Sequence, residues 1–332
     1  MYLKILCICR EKNYLKYRNI FENNLCNLDF GFFLLSLKTF AKVDILTFKD
    51  ILKNNFTYNY NYAFIDAKIR MDYPLKVLTS VFKNKIESNA SIWLSYDRLI
   101  KPQDVIYFER SLNIDYYFIP NLLKDIGKYE LPHQLEKKIH TTFHGLGFLN
   151  TPYDLKNNYF PIIKTNKDYK YNIFYNGTSY GTNTIRSKAS NFVKNLKNID
   201  NINVNCYLRQ DALWRKHRLN PNEYINATKQ AKINLVLSGN HNNQTYRLLE
   251  VLYLKSFFLI DSEILNYKIS DSFKNKESFV FENLEQLYSL INFYLKHDDE
   301  REFLLSTLLK NFEKIYNPQK HRKEIFDLLF NN

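Results

Sequence analysis

Residues 233–261, INLVLSGNHNNQTYRLLEVLYLKSFFLID, read as a buried strand, a polar loop, a helix and a second buried strand. The helix is apolar almost all round, through Leu248, Leu249, Val251, Leu252 and Leu254, yet it carries Arg247 and Glu250. Residues three apart share one helical face. A charge on an otherwise buried helix is costly unless it is paired or meets a ligand. The polar loop feeds straight into the helix start, where free backbone N–H groups and the helix dipole favour an anion. A cation and a hydrogen-bonding carboxylate behind a parallel strand suit a nucleoside diphosphate. An internal Arg–Glu pair that merely holds the helix is the competing explanation.

Working outward from this stretch, the chain alternates short apolar runs with longer periodic segments. In the first half the strands are expected over 4–9, 44–48, 62–66, 91–95, 116–119 and 139–143, with helices over 14–23, 75–86 and 103–112. The segment 151–170, with Pro152, Pro161 and a run of Asn and Lys, has the character of a connection. A second alternation follows: strand 170–175, loop 176–181, helix 182–196, strand 202–208 and a helix opened by Pro221 and Asn222. Beyond the opening stretch come strand 278–281, helices 284–296 and 298–315, and a terminal helix over 321–329. This is an α/β pattern of βαβ units. The expectation is two Rossmann-like domains facing across a cleft. One domain covers 1–160, a second covers 165–315, and a helix over 316–332 packs back toward the first domain. In such sheets ligands bind beyond the carboxyl ends of the strands.

The net charge of +13 over 332 residues points to an anionic partner. It is dispersed, and a chain so rich in Asn, Lys, Tyr, Phe and Ile bears the stamp of an AT-rich genome. Cys7, Cys9, Cys26 and Cys206 lack metal-ligand spacing, so reduced thiols and a cytoplasmic setting are expected. The start, MYLKILCICREK, suits a first core strand rather than a signal peptide. No apolar run has the length of a membrane span.

Four of the seven glycines fall at 145, 147, 177 and 181. Asn176-Gly177-Thr178-Ser179 follows a strand and precedes a helix, so its amides and hydroxyls have the makings of a phosphate cradle, or of an ordinary turn. His144 stands at a strand end beside two glycines, where a near-neutral imidazole suits a general base. Arg209, Arg215, Lys216, His217 and Arg218 surround Trp214, and Arg209 lies directly at a strand end. Asp66 and Asp97 also end strands; either is a base toward an acceptor hydroxyl or, more simply, a cap. There is no HExxH, no Asp-x-Asp and no Gly-x-Ser-x-Gly, so neither a metal nor a cofactor is called for by the sequence.

The second half resembles a known family. The residues that carry the resemblance are Gln230–Leu235, then Thr245-Tyr246-Arg247-Leu248-Leu249-Glu250, then Phe257–Asp261. Downstream, 281–287 and 294–301 add to it, as does Asn176–Ser179 followed by Arg186. Over about 170–330 the chain is similar to GT-B type glycosyltransferases of the family-1-like group related to spore maturation proteins. The resemblance implies that Thr245 and Arg247 contact a donor diphosphate and that Glu250 binds the ribose hydroxyls. Gly177, Thr178, Arg186, Arg209, Lys232 and Tyr246 complete the implied donor set, and His144 and Asp97 are the candidates near the reacting sugar. The family helix usually ends Ala-x-Gly, where this chain has Tyr253, Lys255 and Ser256.

The expected activity is metal-independent transfer of a sugar from a nucleotide sugar to a glycan, lipooligosaccharide or glycoprotein, with peripheral contact to an anionic membrane surface. Nucleic acid is the disfavoured partner. Two other readings stay open: a basic nucleic-acid-binding protein, motivated by the charge and the Arg209–Arg218 cluster, and a non-catalytic scaffold on a glycosyltransferase fold.

Overall fold

Ile5, Leu6, Cys7, Ile8 and Cys9 are all fully buried, because the strand that carries them is covered on both faces. The computed structural model describes residues 3–26, 29–86, 90–93, 114–119, 133–141, 151–152, 169–177, 184–199, 202–208, 219–238, 246–315 and 318–330. The chain divides into two units, Met1–Pro161 with Asn317–Asn332, and Ile162–Tyr316.

The first unit contains β1 (Leu3–Cys9), α1 (Glu11–Glu22), β2 (Leu25–Cys26), α2 (Asp29–Lys38), β3 (Ala41–Thr47), α3 (Phe48–Leu52), β4 (Tyr62–Asp66) and α4 (Leu75–Lys85). It continues with β5 (Ala90–Trp93), β6 (Ile114–Ile119), β7 (Ile139–Thr141) and β8 (Thr151–Pro152). Its main sheet has the order β3-β1-β4-β5-β6-β7 and is parallel throughout. Alternate residues of β1 feed two cores. Leu6 and Ile8 join Phe48, Ile65, Leu78 and Phe82 on one face. Ile5, Cys7 and Cys9 join Tyr17, Ile20, Phe33 and Leu34 on the other. Burial raises the Cys7 and Cys9 thiols, and both are free.

The helix α2 is not anticipated by the sequence pattern. Its residues, DFGFFLLSLK, are apolar all round and so lack the polar face that makes a helix visible by periodicity.

The second unit contains β9 (Tyr171–Gly177), α5 (Ile185–Ile199), β10 (Val204–Leu208), α6 (Pro221–Lys229), β11 (Ala231–Val236), α7 (Tyr246–Tyr253), β12 (Phe258–Asp261), β13 (Val280–Phe281), α8 (Leu284–Lys296) and α9 (Asp298–Ile315). Its five parallel strands run β10-β9-β11-β12-β13. The strand β9 extends to Gly177, so Asn176 and Gly177 close a strand rather than open a loop. The last helix, α10 (Pro318–Phe330), belongs to the first unit. Its Ile325 and Leu329 enter that core, and the Tyr62 hydroxyl donates to the Leu329 carbonyl at 2.6 Å. The expected helix over 103–112 lies outside the described residues.

Candidate functional site

In the second unit the strands, numbered in chain order, lie 2-1-3-4-5, and the order reverses between β9 and β11. Connections leave the sheet in opposite directions at such a point and open a crevice beyond the carboxyl ends. Gly177 is the last residue of β9, and α7 is the helix that follows β11. The opening stretch of sequence therefore sits at the topological switch point.

A cluster of four side chains occupies this edge. Glu250 is 1% exposed and accepts a 2.7 Å hydrogen bond from the Tyr224 hydroxyl. The same hydroxyl accepts from Arg247. The two charges on α7 are thus bridged by a tyrosine on α6, a relation midway between a direct ion pair and two separate groups. The Arg247 guanidinium carbon stands 5.4 Å from the Tyr175 ring centroid and 6.0 Å from that of Tyr224, within cation–π range. Burial opposes charge on Arg247, but Tyr224, Tyr175 and Glu250 together outweigh it, and its pKa is raised. Burial and then the Glu250 carboxylate push the Tyr224 phenol up, so it remains protonated and able to donate.

A second set of bonds fixes the ends of β11 and β12. Asp261 is fully buried and accepts from the Ser238 amide and the Ser238 hydroxyl, each at 2.6 Å, and from the Glu263 amide at 3.1 Å. Arg186, one residue into α5, donates from Nη1 to the Ser238 carbonyl at 2.7 Å. Three elements are tied together here by backbone groups that would otherwise end the strands unpaired.

The expected donor residues divide accordingly. Gly177, Arg247 and Glu250 share the switch-point edge, and Arg186 reaches it through Ser238. Lys232 does not belong there. It is the second residue of β11, at the amino-terminal end of the strand, and its ammonium lies 3.4 Å from Asp298. A parallel strand advances about 3.3 Å per residue, which leaves Lys232 well short of the carboxyl edge. Tyr246 begins α7, and its side chain is not among those described. Thr178, Arg209, Thr245, His144 and Asp97 lie outside the described residues. Asp66 is a cap: fully buried, it accepts from the Lys68 amide at 3.0 Å and from the Tyr17 hydroxyl at 3.1 Å. Tyr175 and Tyr224 escaped the sequence reading, since two tyrosines among 26 carry no signal of their own.

A cavity of about 200 Å³, lined by Lys229, Ala231, Lys255, Phe257 and Leu305 among others, opens at the amino-terminal end of β11. Neither Gly177 nor Arg247 lines it. Among the described residues no group of three or more His, Cys, Asp or Glu side chains is placed to hold a metal ion, and no helix is long and apolar enough to cross a membrane.

Residues 186–326 match a family model described as glycosyl transferase-like. That span contains all of α5 but its first residue, the whole β11–α7–β12 unit and both arginines of the edge. Over that span the chain is glycosyl transferase-like, and its two α/β units have the GT-B fold.

The fold is similar to that of T4 phage BGT in complex with its UDP-glucose substrate, with a TM-score of 0.57, 14% identity and 100% of both chains covered. Anabaena HepE in complex with UDP-glucose is equally similar, at a TM-score of 0.57, 10% identity and full coverage of both chains. TarM matches at a TM-score of 0.51 and 11% identity over 81% of this chain and 54% of that one. At these identities the likeness is one of fold, two Rossmann-like domains in series. No curated protein matches the chain in sequence.

Proposed function

We propose that the protein moves a sugar from a uridine diphosphate sugar to a hydroxyl of a glycan, lipooligosaccharide or glycoprotein, without a metal ion. The observation that carries the reading is the Arg247 guanidinium, held between two tyrosine rings at the switch point beside Gly177. Arg247 faces the diphosphate in this reading and Glu250 the ribose, while Gly177 and Arg186 shape the same edge. Two of the structures that share the fold hold UDP-glucose, which favours uridine as the base.

The acceptor hydroxyl oxygen attacks the anomeric carbon, the bond from that carbon to the phosphate oxygen breaks, and the electron pair leaves with the diphosphate. Arg247 and the start of α7 stabilise that developing charge, work that a bound metal performs in other sites. The acceptor proton goes to a base of the N-terminal unit, for which His144 and Asp97 are the candidates. The net charge of +13 fits peripheral contact with an anionic membrane that carries a lipid-linked acceptor at its cytoplasmic face.

A second acceptor class has one observation in its favour. A DNA modifying β-glucosyltransferase shares the fold, and this chain is strongly basic. Internal duplex DNA offers no free hydroxyl, so such an acceptor must bear hydroxylated bases.

The test is transfer of labelled glucose from UDP-glucose, in EDTA, to a lipid-linked glycan or to DNA with hydroxylated bases. Transfer in EDTA that disappears in Arg247→Ala is the expected result. Activity restored only by added divalent metal overturns metal independence, and undiminished transfer by Arg247→Ala overturns the site.

A further inference from the structure

We propose that Tyr224 is a positioning residue for the donor, holding Arg247 and Glu250 in register through one hydroxyl. The inference rests on the donor site proposed above and adds a residue on a different helix. The Tyr224 hydroxyl is taken up by Glu250 and Arg247, so it acts through these two neighbours rather than on the substrate.

Its own placement is fixed from below. Asn220 caps α6: its side chain accepts from the Glu223 amide at 2.9 Å, while the Glu223 carboxylate accepts from the Asn220 amide at 2.7 Å. Pro221 occupies the first helical position, where its missing N–H costs nothing. The capping box sets the entry of α6, and Tyr224 follows one turn in, its amide bonded to the Asn220 carbonyl at 3.0 Å. The ring then packs on Phe174 of β9 at 5.9 Å between centroids. A rigid phenol thereby reaches α7 with its hydroxyl between a cation and a carboxylate.

The consequence is coupling. A carboxylate meant for ribose hydroxyls and a guanidinium meant for a diphosphate sit on one short helix, α7. Long side chains on such a helix keep rotamer freedom unless something fixes them. The Tyr224 hydroxyl donates to one and accepts from the other, so the two heads cannot move independently. Binding then meets a site already arranged, which lowers the ordering cost of association.

The experiment uses the full chain and a panel of UDP, GDP, dTDP and ADP, with affinity measured by calorimetry. The variants are Tyr224→Phe, Glu250→Gln, their double, Arg247→Ala and Tyr294→Phe. The last is a control that deletes a comparable buried hydrogen bond, from the Tyr294 hydroxyl to the Ser278 carbonyl at 2.7 Å, elsewhere in the same unit. Tyr224→Phe keeps the ring packing and is expected to weaken the preferred diphosphate about tenfold, the effect of one lost hydrogen bond to charged groups. It should raise KM for the UDP-sugar in hydrolysis and lower kcat as well, since Arg247 also meets the charge that develops on the leaving diphosphate. The double variant should bind no worse than Glu250→Gln alone, because the two act as a unit. Tyr294→Phe should bind as wild type.

Wild-type affinity in Tyr224→Phe, or a fully additive double variant, overturns the proposal. If Arg247→Ala also binds as wild type, or no diphosphate binds the native protein, the donor site itself is misplaced. If Arg247→Ala alone abolishes binding, that site stands and only the coupling through Tyr224 falls.

Discussion

A Cβ built on Gly177 would come within 3.1 Å of Arg247 Nη1 and 2.7 Å of Tyr175 Cζ, with the Tyr175 hydroxyl closer still. The backbone of Gly177 has no left-handed torsion, so the demand is for room alone. The Tyr175 phenol, two residues back on the same face of β9, fills the space a side chain would take, and the guanidinium lies over its ring.

Gly177→Ala therefore overpacks the cluster. The expected cost is about 1–3 kcal/mol of stability, as for other methyl insertions into filled cores. Removing the Tyr175 hydroxyl in Gly177→Ala/Tyr175→Phe should restore part of that loss but not the donor affinity, since Arg247 must still shift. Denaturant unfolding and UDP calorimetry on both variants check the pair of statements. An alanine variant as stable and as tight as the native protein would show that the edge is loosely packed.

At the carboxyl end of the first sheet, Arg10 is 4% exposed and forks onto Asp72, with Nε donating to Oδ2 at 2.6 Å and Nη2 to Oδ1. The hydrogen bonds from Arg10 hold the Asp72 carboxyl below its ordinary range. A depressed folded value means that the stabilisation is complete above the ordinary carboxylate pKa of about 3.9 and is lost as pH falls through the lower folded value. Asp72→Asn should cost about 2 kcal/mol at neutral pH, where it leaves a buried guanidinium half-bonded. The gap between native and variant should stay constant from neutral pH down to about pH 4 and close below it. Acid titration of the unfolding midpoint measures this; a gap that widens in acid would contradict the assignment.

The end of α7 answers the departure from the family's Ala-x-Gly. Lys255 adopts φ 50°, the left-handed conformation that glycine takes without strain. The Lys255 amide bonds the Leu252 carbonyl at 3.0 Å and the Ser256 amide bonds Val251 at 2.9 Å, the paired bonds of a Schellman motif. The backbone shape of the motif is kept, and a lysine bears its cost. Lys255→Gly should raise stability by up to about 1 kcal/mol, and Lys255→Val should lower it by more than that. Thermal unfolding of the two variants ranks them; a destabilised glycine variant would mean that the lysine side chain contributes more than its backbone costs.

These cases mark where the sequence is legible and where it is not. The β11–α7–β12 unit could be read because its strands are continuous apolar runs and its helix carries two conspicuous charges. The capping box of Asn220 and Glu223, with Pro221 at the first helical position, likewise announces α6 locally. What joins Arg247 to Glu250 could not be read, because Tyr224 lies 26 residues from Glu250 and meets it only through tertiary packing. The sequence neighbours of Lys232 suggest a donor residue, but its place at the start of a strand puts it at the opposite edge. Helix α2 stays hidden for the reverse reason: nearly all its residues are apolar, so it has no polar face to give a period.

The Asp261–Ser238–Arg186 chain makes a last prediction, about how the edge is kept in shape. Three donors converge on a fully buried carboxylate, two from Ser238 and one from the Glu263 amide. Asp261→Asn exchanges one acceptor oxygen for an amide that also donates, so one of those donors faces another donor. The expected loss is about 1–3 kcal/mol, the cost of an unmade buried hydrogen bond. Ser238→Ala removes the hydroxyl contact but keeps the amide one, and should cost about 1 kcal/mol. Because the Ser238 carbonyl is also the acceptor for Arg186, the asparagine variant should weaken UDP binding as well as stability, and Ser238→Ala should not. Arg186→Met separates the two effects: it frees the Ser238 carbonyl without touching Asp261, so affinity should fall further than stability. Unfolding midpoints set beside UDP dissociation constants for the three variants decide it. An Arg186→Met protein that loses stability and keeps its affinity would confine Arg186 to holding α5.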